Sequence, residues 1–211
     1  VDGTTVALGN ITALSGTLTL GAGDISGSVT QNAGTAILVS NLTANTTSSI
    51  NLNNANNDFD TIGSITRGGD LTIHDIDDVI INGPWTAGTI TNAINVTAGG
   101  LLTVNGNVST SGNNNVALTG VGITQGALST INAGSGTISI DGTAGAMNFL
   151  GLLTTTNATA SAISIVDGTT VALGNITALS GTLSLGTGDI SGSVTQNAST
   201  AILASNLTAN T

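Results

Sequence analysis

Cysteine and tyrosine are absent from this chain of 211 residues, and proline occurs once. Without cysteine, a disulfide framework and cysteine-ligated metal sites are excluded. The turns of the chain must therefore come from other residues, and the 30 glycines together with many asparagines are suited to that role. The lack of cysteine does not fix a cellular compartment.

Basic side chains are almost missing as well. Arg67 is the only lysine or arginine against 11 acidic residues, which gives a formal net charge of −10. A nucleic-acid surface is not expected, because phosphate binding needs clustered lysine and arginine, and binding to an anionic membrane is disfavoured for the same reason. No apolar run approaches the roughly 18 residues that span a bilayer, so no membrane span is predicted.

Aromatic residues make up 1% of the chain and charged residues 6%, yet hydrophobic residues reach 39% and the mean hydropathy is +0.39. A disordered linker would be poor in aliphatic side chains, so the composition argues against disorder. Valine, isoleucine, leucine and alanine supply the apolar content, and threonine, serine, asparagine and glycine supply most of the rest. This mixture favours many short strands joined by tight polar turns.

The chain contains a long internal repeat. Residues 1–46 recur as residues 166–211, and only four pairs differ: Thr19/Ser184, Ala22/Thr187, Gly34/Ser199 and Val39/Ala204. This pattern is typical of tandem arrays, whose units stack on copies of themselves. Residues 1–165 are therefore interpreted as one full repeat and 166–211 as the start of the next. We expect the polypeptide to continue beyond Thr211 with a sequence close to that from Thr47 onward.

A triplet of two aliphatic residues around one other residue returns along the chain, mostly at intervals of 19 to 25 residues. The alternation within each triplet is that of a half-buried strand, and no stretch shows helical spacing. Such a ladder predicts an all-β solenoid with about 20–25 residues per coil and parallel pairing between coils. The triplets are Leu18–Leu20, Ile37–Val39, Ile50–Leu52, Leu71–Ile73, Ile94–Val96, Val116–Leu118, Ile138–Ile140, Ile163–Ile165 and Leu183–Leu185.

Asparagine-rich stretches lie between the triplets, at 53–57 and 113–115. Asparagine tolerates turn conformations and bonds its own backbone, and in a solenoid such residues can also stack into polar ladders. The alternative is that they are solvated loop residues. The sequence leaves both interpretations open.

Three stretches carry a family resemblance: NLNNANNDFDTIGSITRGGDLTIHDIDDVIING at 51–83, the segment 16–54 and the segment 99–142. They resemble the repeat region of filamentous-haemagglutinin-like adhesins, through a diffuse pattern that covers most of the chain. Members of that family are very large bacterial surface or secreted proteins. The resemblance implies a right-handed parallel β-helix that serves as a stalk or fibre.

The densest charged cluster is His74-Asp75-Ile76-Asp77-Asp78. One histidine with three carboxylates could ligate a divalent cation, which makes Asp75, Asp77 and Asp78 weak candidate metal ligands. The alternative is a turn whose acids face water, and we predict no metal and no cofactor.

The aromatic residues Phe59 and Trp85 and the scattered acids are the other candidates for a functional role. Phe59, between Asp58 and Asp60, is interpreted as a core anchor, and Trp85 either as a structural plug or as a platform for stacking a sugar ring.

Acid pairs can serve glycoside hydrolysis. The acids Asp2, Asp24, Asp141, Asp167 and Asp189 stand in turn contexts, however, and only Arg67 and His74 could support them. No enzyme activity is predicted.

Nine Asn-x-Ser/Thr sequons are possible glycosylation sites. They lie at Asn10, Asn41, Asn45, Asn95, Asn107, Asn157, Asn175, Asn197 and Asn206.

The function expected from these features is that of a non-catalytic repetitive stalk of a giant extracellular or bacterial cell-surface adhesin. Its partners would be neighbouring copies of the same repeat and, through other parts of the polypeptide, a host or neighbouring cell surface. The alternative is a self-assembling extracellular filament or sheath, in which rods associate laterally or end to end. In that case the strand edges at the ends of a solenoid would allow stacking, and the low charge density and a flat polar face would permit lateral packing.

Overall fold

In the computed structural model of the protein, the described residues are 3–21, 25–87 and 92–211. They form strands, turns and bends, and none of them lies in a helix. The strands are joined into one sheet of 23 strands, in which the described pairings are parallel. The predicted all-β parallel solenoid is therefore confirmed.

The strands are short, except for five that reach eight to eleven residues. In chain order they are β1 Val6–Leu8, β2 Ile11–Leu20, β3 Val29–Gln31, β4 Ile37–Asn45, β5 Ile50–Leu52, β6 Asp58–Arg67, β7 Leu71–Asp75, β8 Val79–Ile81, β9 Trp85–Ala87, β10 Ile94–Ala98, β11 Leu102–Val104, β12 Val108–Ser109, β13 Val116–Thr119, β14 Ile123–Gln125, β15 Thr130–Asn132, β16 Ile138–Asp141, β17 Met147–Phe149, β18 Leu152–Thr154, β19 Ile163–Ile165, β20 Val171–Leu173, β21 Asn175–Leu185, β22 Val194–Gln196 and β23 Ile202–Ala209.

From β7 onward each turn of the chain contributes one strand to each of three stacked columns. Column A holds β1, β3, β5, β7, β10, β13, β16 and β19, followed by the C-terminal parts of β21 and β23. Column B holds β8, β11, β14, β17, β20 and β22. Column C holds β9, β12, β15 and β18, followed by the N-terminal parts of β21 and β23.

Columns B and C both begin on the long strand β6. Ile62 of β6 pairs with Ile81 of β8, and Ile65 pairs with Trp85 of β9. Below β6 lie the similarly long strands β4 and β2. The strand β6 is thus the place where one long face of the lower coils divides into two shorter faces.

Alternation of side chains builds the core. In most of the repeated triplets the first and third residues are buried and the middle residue faces outward, as in Ile50–Leu52 and Leu102–Val104. Leu18 is only half-buried, and the middle residue Ser184 is buried. This is the period-2 pattern of a strand with one buried face. The buried aliphatic residues form a single cluster that extends from Leu8 to Ile190. Each coil therefore contributes side chains to one continuous core, which no single coil could form alone.

The spacing along column A agrees with the predicted coil length. Its paired residues are Val6, Val29, Ile50, Leu71, Ile94, Val116, Ile138, Ile163, Leu183 and Leu207. The shortest step, from Ile163 to Leu183, is 20 residues, and the longest, from Ile138 to Ile163, is 25.

The two near-identical copies begin on different columns. Val6 lies in column A, whereas its counterpart Val171 lies in column B, paired with Met147 below and Val194 above. Seven steps along column A lead from Val6 to Ile163, and Val171 follows on the next face of the same turn. One 165-residue repeat therefore advances by seven turns and about a third of a turn.

The local structure of the two copies is nevertheless the same. Gly21 and its counterpart Gly186 have φ angles of 74° and 68°. At either position an added Cβ would lie 1.8 Å from a backbone oxygen of the next coil, that of Asn45 or of Asn210. The turn that follows β2 and β21 therefore requires glycine for both its backbone conformation and its close packing.

The first two triplets do not stack directly on one another, because Leu18 pairs with Leu42 and Ile37 pairs with Ile11. Column A begins with Val6 and Val29, which precede Ile50. The nine predicted triplets all lie within strands.

Candidate functional site

The face formed by the N-terminal parts of β2 and β4 ends at Phe59. The next coil places no strand above Phe59. Instead, the Asp75 carboxylate accepts a hydrogen bond from the Phe59 amide at 2.7 Å. Nearby, the Asn57 carbonyl accepts a hydrogen bond from the Ile76 amide at 2.8 Å. The second oxygen of Asp75 accepts from the Asp77 amide at 3.1 Å. Asp75 thus caps a strand edge that would otherwise be left without partners inside the molecule.

Burial of Asp75 raises the pKa of its carboxyl group to about 7. The two backbone hydrogen bonds oppose this shift, and the negative charges of Asp77 and Asp58 add to it. The cost of removing a carboxylate from water is the largest of these effects.

The structure does not gather the candidate metal ligands into a site. Asp75 is fully buried and occupied by two amides, whereas Asp77 and Asp78 are exposed. Asp78 accepts a hydrogen bond from the Leu101 amide of the next coil at 2.6 Å. Among residues 3–21, 25–87 and 92–211 there is no group of three or more histidine and acidic side chains that could hold a metal ion. The alternative, a turn whose acids face water and whose Ile76 faces inward, is correct for Asp77 and Asp78 but wrong for Asp75, which is buried, and for Ile76, which is 49% exposed.

Both candidate aromatic residues lie in the core. Phe59 and Trp85 have no exposed side-chain surface. The Trp85 Nε1 group donates a hydrogen bond to the Gly63 carbonyl at 2.9 Å, so the polar atom of the ring is satisfied inside the coil. Trp85 is therefore a structural plug, and stacking of a sugar on its ring is excluded because the ring cannot be reached.

The single arginine also points inward. Arg67 is 1% exposed, and none of its three nitrogens has a hydrogen-bond partner within the described part of the chain. Burial lowers the pKa of its guanidinium group to about 10, and the nearby charge of Asp70 acts in the opposite direction. Arg67 is thus enclosed in the core and cannot serve a surface cleft.

The scattered acids do not converge either. Asp141 accepts a hydrogen bond from the amide of Thr143, two residues later, which is the geometry of a local turn. Asp167 is half-buried and Asp189 is exposed. Asp2 and Asp24 lie outside the described residues.

Asparagine and aspartate side chains instead hold neighbouring coils together. An Asx side-chain oxygen before a strand accepts the amide of a residue one coil above. The pairs are Asn10–Ala36, Asp70–Ala93, Asp78–Leu101, Asn107–Thr130, Asn115–Thr137 and Asn175–Ala201, with distances of 2.6 to 3.0 Å. Of the two interpretations left open by the sequence, bonding between coils therefore applies at Asn115. Stacked asparagine side chains also occur, as between Asn105 and Asn82 at 3.3 Å.

Asn57 is a buried hub that the sequence did not single out. It is fully buried, and its side-chain oxygen accepts from Gln31 Nε2 at 2.6 Å and from the Ile37 amide at 3.0 Å. Its nitrogen donates to Gln31 Oε1 at 2.9 Å and to the Leu52 carbonyl at 3.1 Å. Asn57 thus ties its own coil to the coil below, and nothing in the run NNANN distinguished it from its neighbours.

The nine sequons differ in what their side chains do. Glycosylation substitutes the amide nitrogen and leaves the oxygen free to accept a hydrogen bond. Three exposed asparagines use only the oxygen within the described structure: Asn10, Asn107 and Asn175. Three half-buried ones use the nitrogen as a donor, to Thr17, Ser135 and Phe149 respectively: Asn41, Asn157 and Asn197. Three exposed ones make no side-chain hydrogen bond to described residues: Asn45, Asn95 and Asn206.

The last coil presents an open strand edge that has a covered counterpart in the same molecule. Leu42 of β4 is fully buried because β6 lies above it, whereas Leu207, the same residue in the second copy, is 55% exposed on β23. Leu203 on the same strand is 50% exposed.

Comparison with known proteins adds no family or function. The chain matched no protein-family model, no curated protein and no solved structure. No helix among the described residues is long and apolar enough to cross a membrane.

Proposed function

We propose that this chain is part of the non-catalytic stalk of a large adhesin, secreted or displayed on the bacterial cell surface. The observation that carries the proposal is the uninterrupted coil stack across the repeat junction. β19 of the first repeat supports β21, and β17 supports β20, with the same parallel pairing as inside a repeat. A rod can therefore be extended one repeat at a time without a linker.

Backbone pairing suits such a rod to a mechanical role. Each coil bonds to the coil below and the coil above through three faces, so a load along the axis is shared by many hydrogen bonds. Outward positions carry mainly threonine, serine and asparagine, which keep the surface in contact with water. Attachment to a host or neighbouring cell is assigned to other parts of the polypeptide. The sequons best placed to carry glycans are the six exposed ones whose side-chain nitrogen donates no bond to described residues: Asn10, Asn45, Asn95, Asn107, Asn175 and Asn206.

The absence of a convergent set of charged groups supports a non-catalytic role for the described surface. Arg67 is inside the core, and Asp75 is used as a strand cap. Asp70, Asp78 and Asp141 accept backbone amides, and Asp58 and Asp60 lie in strand β6. A glycan-cleaving site on this scaffold would need acids and bases facing one cleft.

A self-assembling filament or sheath, in which rods associate laterally or end to end, is the second candidate. The rotation between copies argues against lateral sheets, however. Counterpart residues such as Val6 and Val171 lie in different columns in the two copies, so two rods would not repeat one flat contact from one copy to the next.

Electron cryotomography of the cells that produce the protein, with labels directed at this repeat, tests the proposal. Separate thin fibres that extend from the surface are expected for a stalk. A continuous, laterally packed layer or a thick bundle would contradict the stalk and favour the sheath.

A further inference from the structure

Asparagine is followed directly by glycine at two places in the chain, Asn82-Gly83 and Asn105-Gly106. Both pairs lie in the turn between column B and column C, on adjacent coils, and both asparagines are exposed. We propose that Asn82 is a site of spontaneous deamidation and that the side chain of Asn105 accelerates the reaction. The inference concerns the surface of the rod and holds whether or not the rod belongs to an adhesin.

The reaction needs only Asn82, Gly83 and water. The backbone nitrogen of Gly83 loses its proton to water and bonds to Cγ of Asn82, the bond from Cγ to Nδ2 breaks, and ammonia leaves with the proton that it needs. The product is a cyclic imide. Water then adds to one of the two imide carbonyls and opens the ring, which leaves either aspartate or isoaspartate. Glycine is the least hindered nucleophile for this attack because it has no Cβ.

The two pairs differ first in the hydrogen bond of the attacking nitrogen. The Gly106 amide donates to the Ile81 carbonyl at 2.9 Å, whereas the Gly83 amide reaches the Ile62 carbonyl only at 3.5 Å. A distance of 2.9 Å is that of a well-formed bond, and one of 3.5 Å lies beyond the usual range. A nitrogen that must lose its proton to react is held back by a well-formed bond, so Gly83 is the freer nucleophile of the two.

The second difference is the hydrogen bond between the two side chains. Asn105 Nδ2 donates to Asn82 Oδ1 at 3.3 Å. The oxygen of Asn82 becomes negative as the nitrogen of Gly83 adds to Cγ, so a donor at this oxygen stabilises the transition state. In Asn105 the same bond engages the nitrogen that would have to leave, and its own Oδ1 accepts no hydrogen bond from a described residue. The bond therefore activates Asn82 and does not activate Asn105.

The consequence of the reaction is expected at Trp85. Two residues separate Asn82 from strand β9, which begins at this tryptophan. The Trp85 amide donates to the Asn107 carbonyl at 2.8 Å, and its Nε1 donates to the Gly63 carbonyl at 2.9 Å. Isoaspartate adds a methylene group to the main chain before this strand, whereas aspartate leaves the main chain unchanged. Isoaspartate at position 82 should therefore displace Trp85 from its place in the core.

Incubation of the folded full chain in a mildly alkaline buffer, followed by peptide mapping with mass spectrometry, tests the assignment. Enzymatic methylation of isoaspartate identifies that product. Asn82 should convert about tenfold faster than Asn105, the rate ratio that corresponds to one protecting hydrogen bond. In the chain unfolded in urea, where both pairs have lost their contacts, the two asparagines should convert at similar rates.

Two variants test the role of Asn105 as a positioning residue. Asn105→Ala removes the donor and should slow the conversion of Asn82 about threefold, because a bond of 3.3 Å is longer than average. Asn95→Ala is the matched control, since Asn95 is also exposed and makes no side-chain hydrogen bond to a described residue. It should leave the rate at Asn82 unchanged. Equal conversion of Asn82 and Asn105 in the folded chain would overturn the assignment of the site, and an unchanged rate in Asn105→Ala would overturn the role of Asn105.

The fluorescence of Trp85, which is the only tryptophan of the chain, provides a separate readout. Protein with isoaspartate at position 82 should emit at longer wavelength than the starting protein, because the indole becomes more exposed to water. The variant Asn82→Asp carries the same new charge on an unchanged main chain and should keep the original spectrum. An equal shift in both forms would contradict the lengthened main chain as the cause.

Discussion

Ser199 adopts the backbone conformation that glycine adopts at the same place in the first copy. Its φ angle is 62°, and that of Gly34 is 73°. A Cβ added at Gly34 meets no atom within 4 Å, so the site has room for a side chain. The difference between the two residues is therefore one of backbone strain alone, because a residue with a Cβ disfavours the left-handed region.

Ser199→Gly should raise the stability of the last coil by about 1 kcal/mol, the cost of a left-handed residue that has a Cβ. The reciprocal change Gly34→Ser should lower stability by a similar amount. Urea unfolding, together with hydrogen exchange of the turn before β23, measures both. If both substitutions lowered stability, contacts of the serine hydroxyl would outweigh the strain.

Asp75 should make the stability of the protein depend on pH. Its pKa is raised from 3.8 to about 7 in the folded protein, so the folded state holds a proton that the unfolded state has released in this range. The stabilisation is fully present below about pH 4 and is lost as the pH rises to about 7, at no more than about 1.4 kcal/mol per pH unit.

Asp75→Asn should remove this dependence. The amide keeps one oxygen acceptor, but one of the two amides that Asp75 binds loses its partner, so the variant is less stable than the wild type at pH 4. Urea unfolding at four values between pH 4 and pH 7.5 gives the two slopes. An unchanged slope in the variant would assign the dependence to other carboxyl groups, and Asp60→Asn, on an exposed residue, serves as the control.

Replacement of Arg67 by methionine should stabilise the protein. The guanidinium is buried, its pKa is lowered to about 10, and none of the described residues hydrogen-bonds it. A buried charge without such partners is costly, and exchange of buried ionic groups for apolar ones of similar volume commonly gains about 1–4 kcal/mol. Arg67→Ala tests the role of volume, because it removes the charge and also leaves a cavity. Thermal unfolding should rank Met above wild type, and a methionine variant with a lower midpoint would contradict the interpretation.

The fold could be predicted from the sequence because its signal is repeated. Triplets such as Ile50–Leu52 and Leu71–Ile73 each specify one buried strand, and their regular spacing specifies the stack. At the start of the ladder the triplets alone do not show which strand lies on which face. The interval from Ile37 to Ile50 is only 13 residues. This short interval reflects the position of Ile37 on another face, because the long strand β4 occupies more than one face of its coil.

The sites were less predictable than the fold, for a physical reason. The burial of Arg67 and Asp75 depends on which coil lies above them, and the sequence spacing does not give that. Asn57 could not be separated from Asn53, Asn54 and Asn56 until its contact with Gln31 was known.

The rotation between repeats can be measured with pairs of spin labels, for which the absence of cysteine is convenient. Ala7 and Ser164 lie in column A seven steps apart, whereas Ala7 and Ala172 are counterparts in the two copies but lie in columns A and B. Seven steps of about 4.8 Å place the first pair about 34 Å apart along the axis. The Ala7→Cys/Ala172→Cys pair should show a clearly longer distance, because the labels also lie on different faces. Equal distances for the two pairs would mean that the copies are stacked in phase, and the argument against lateral sheets would then fail.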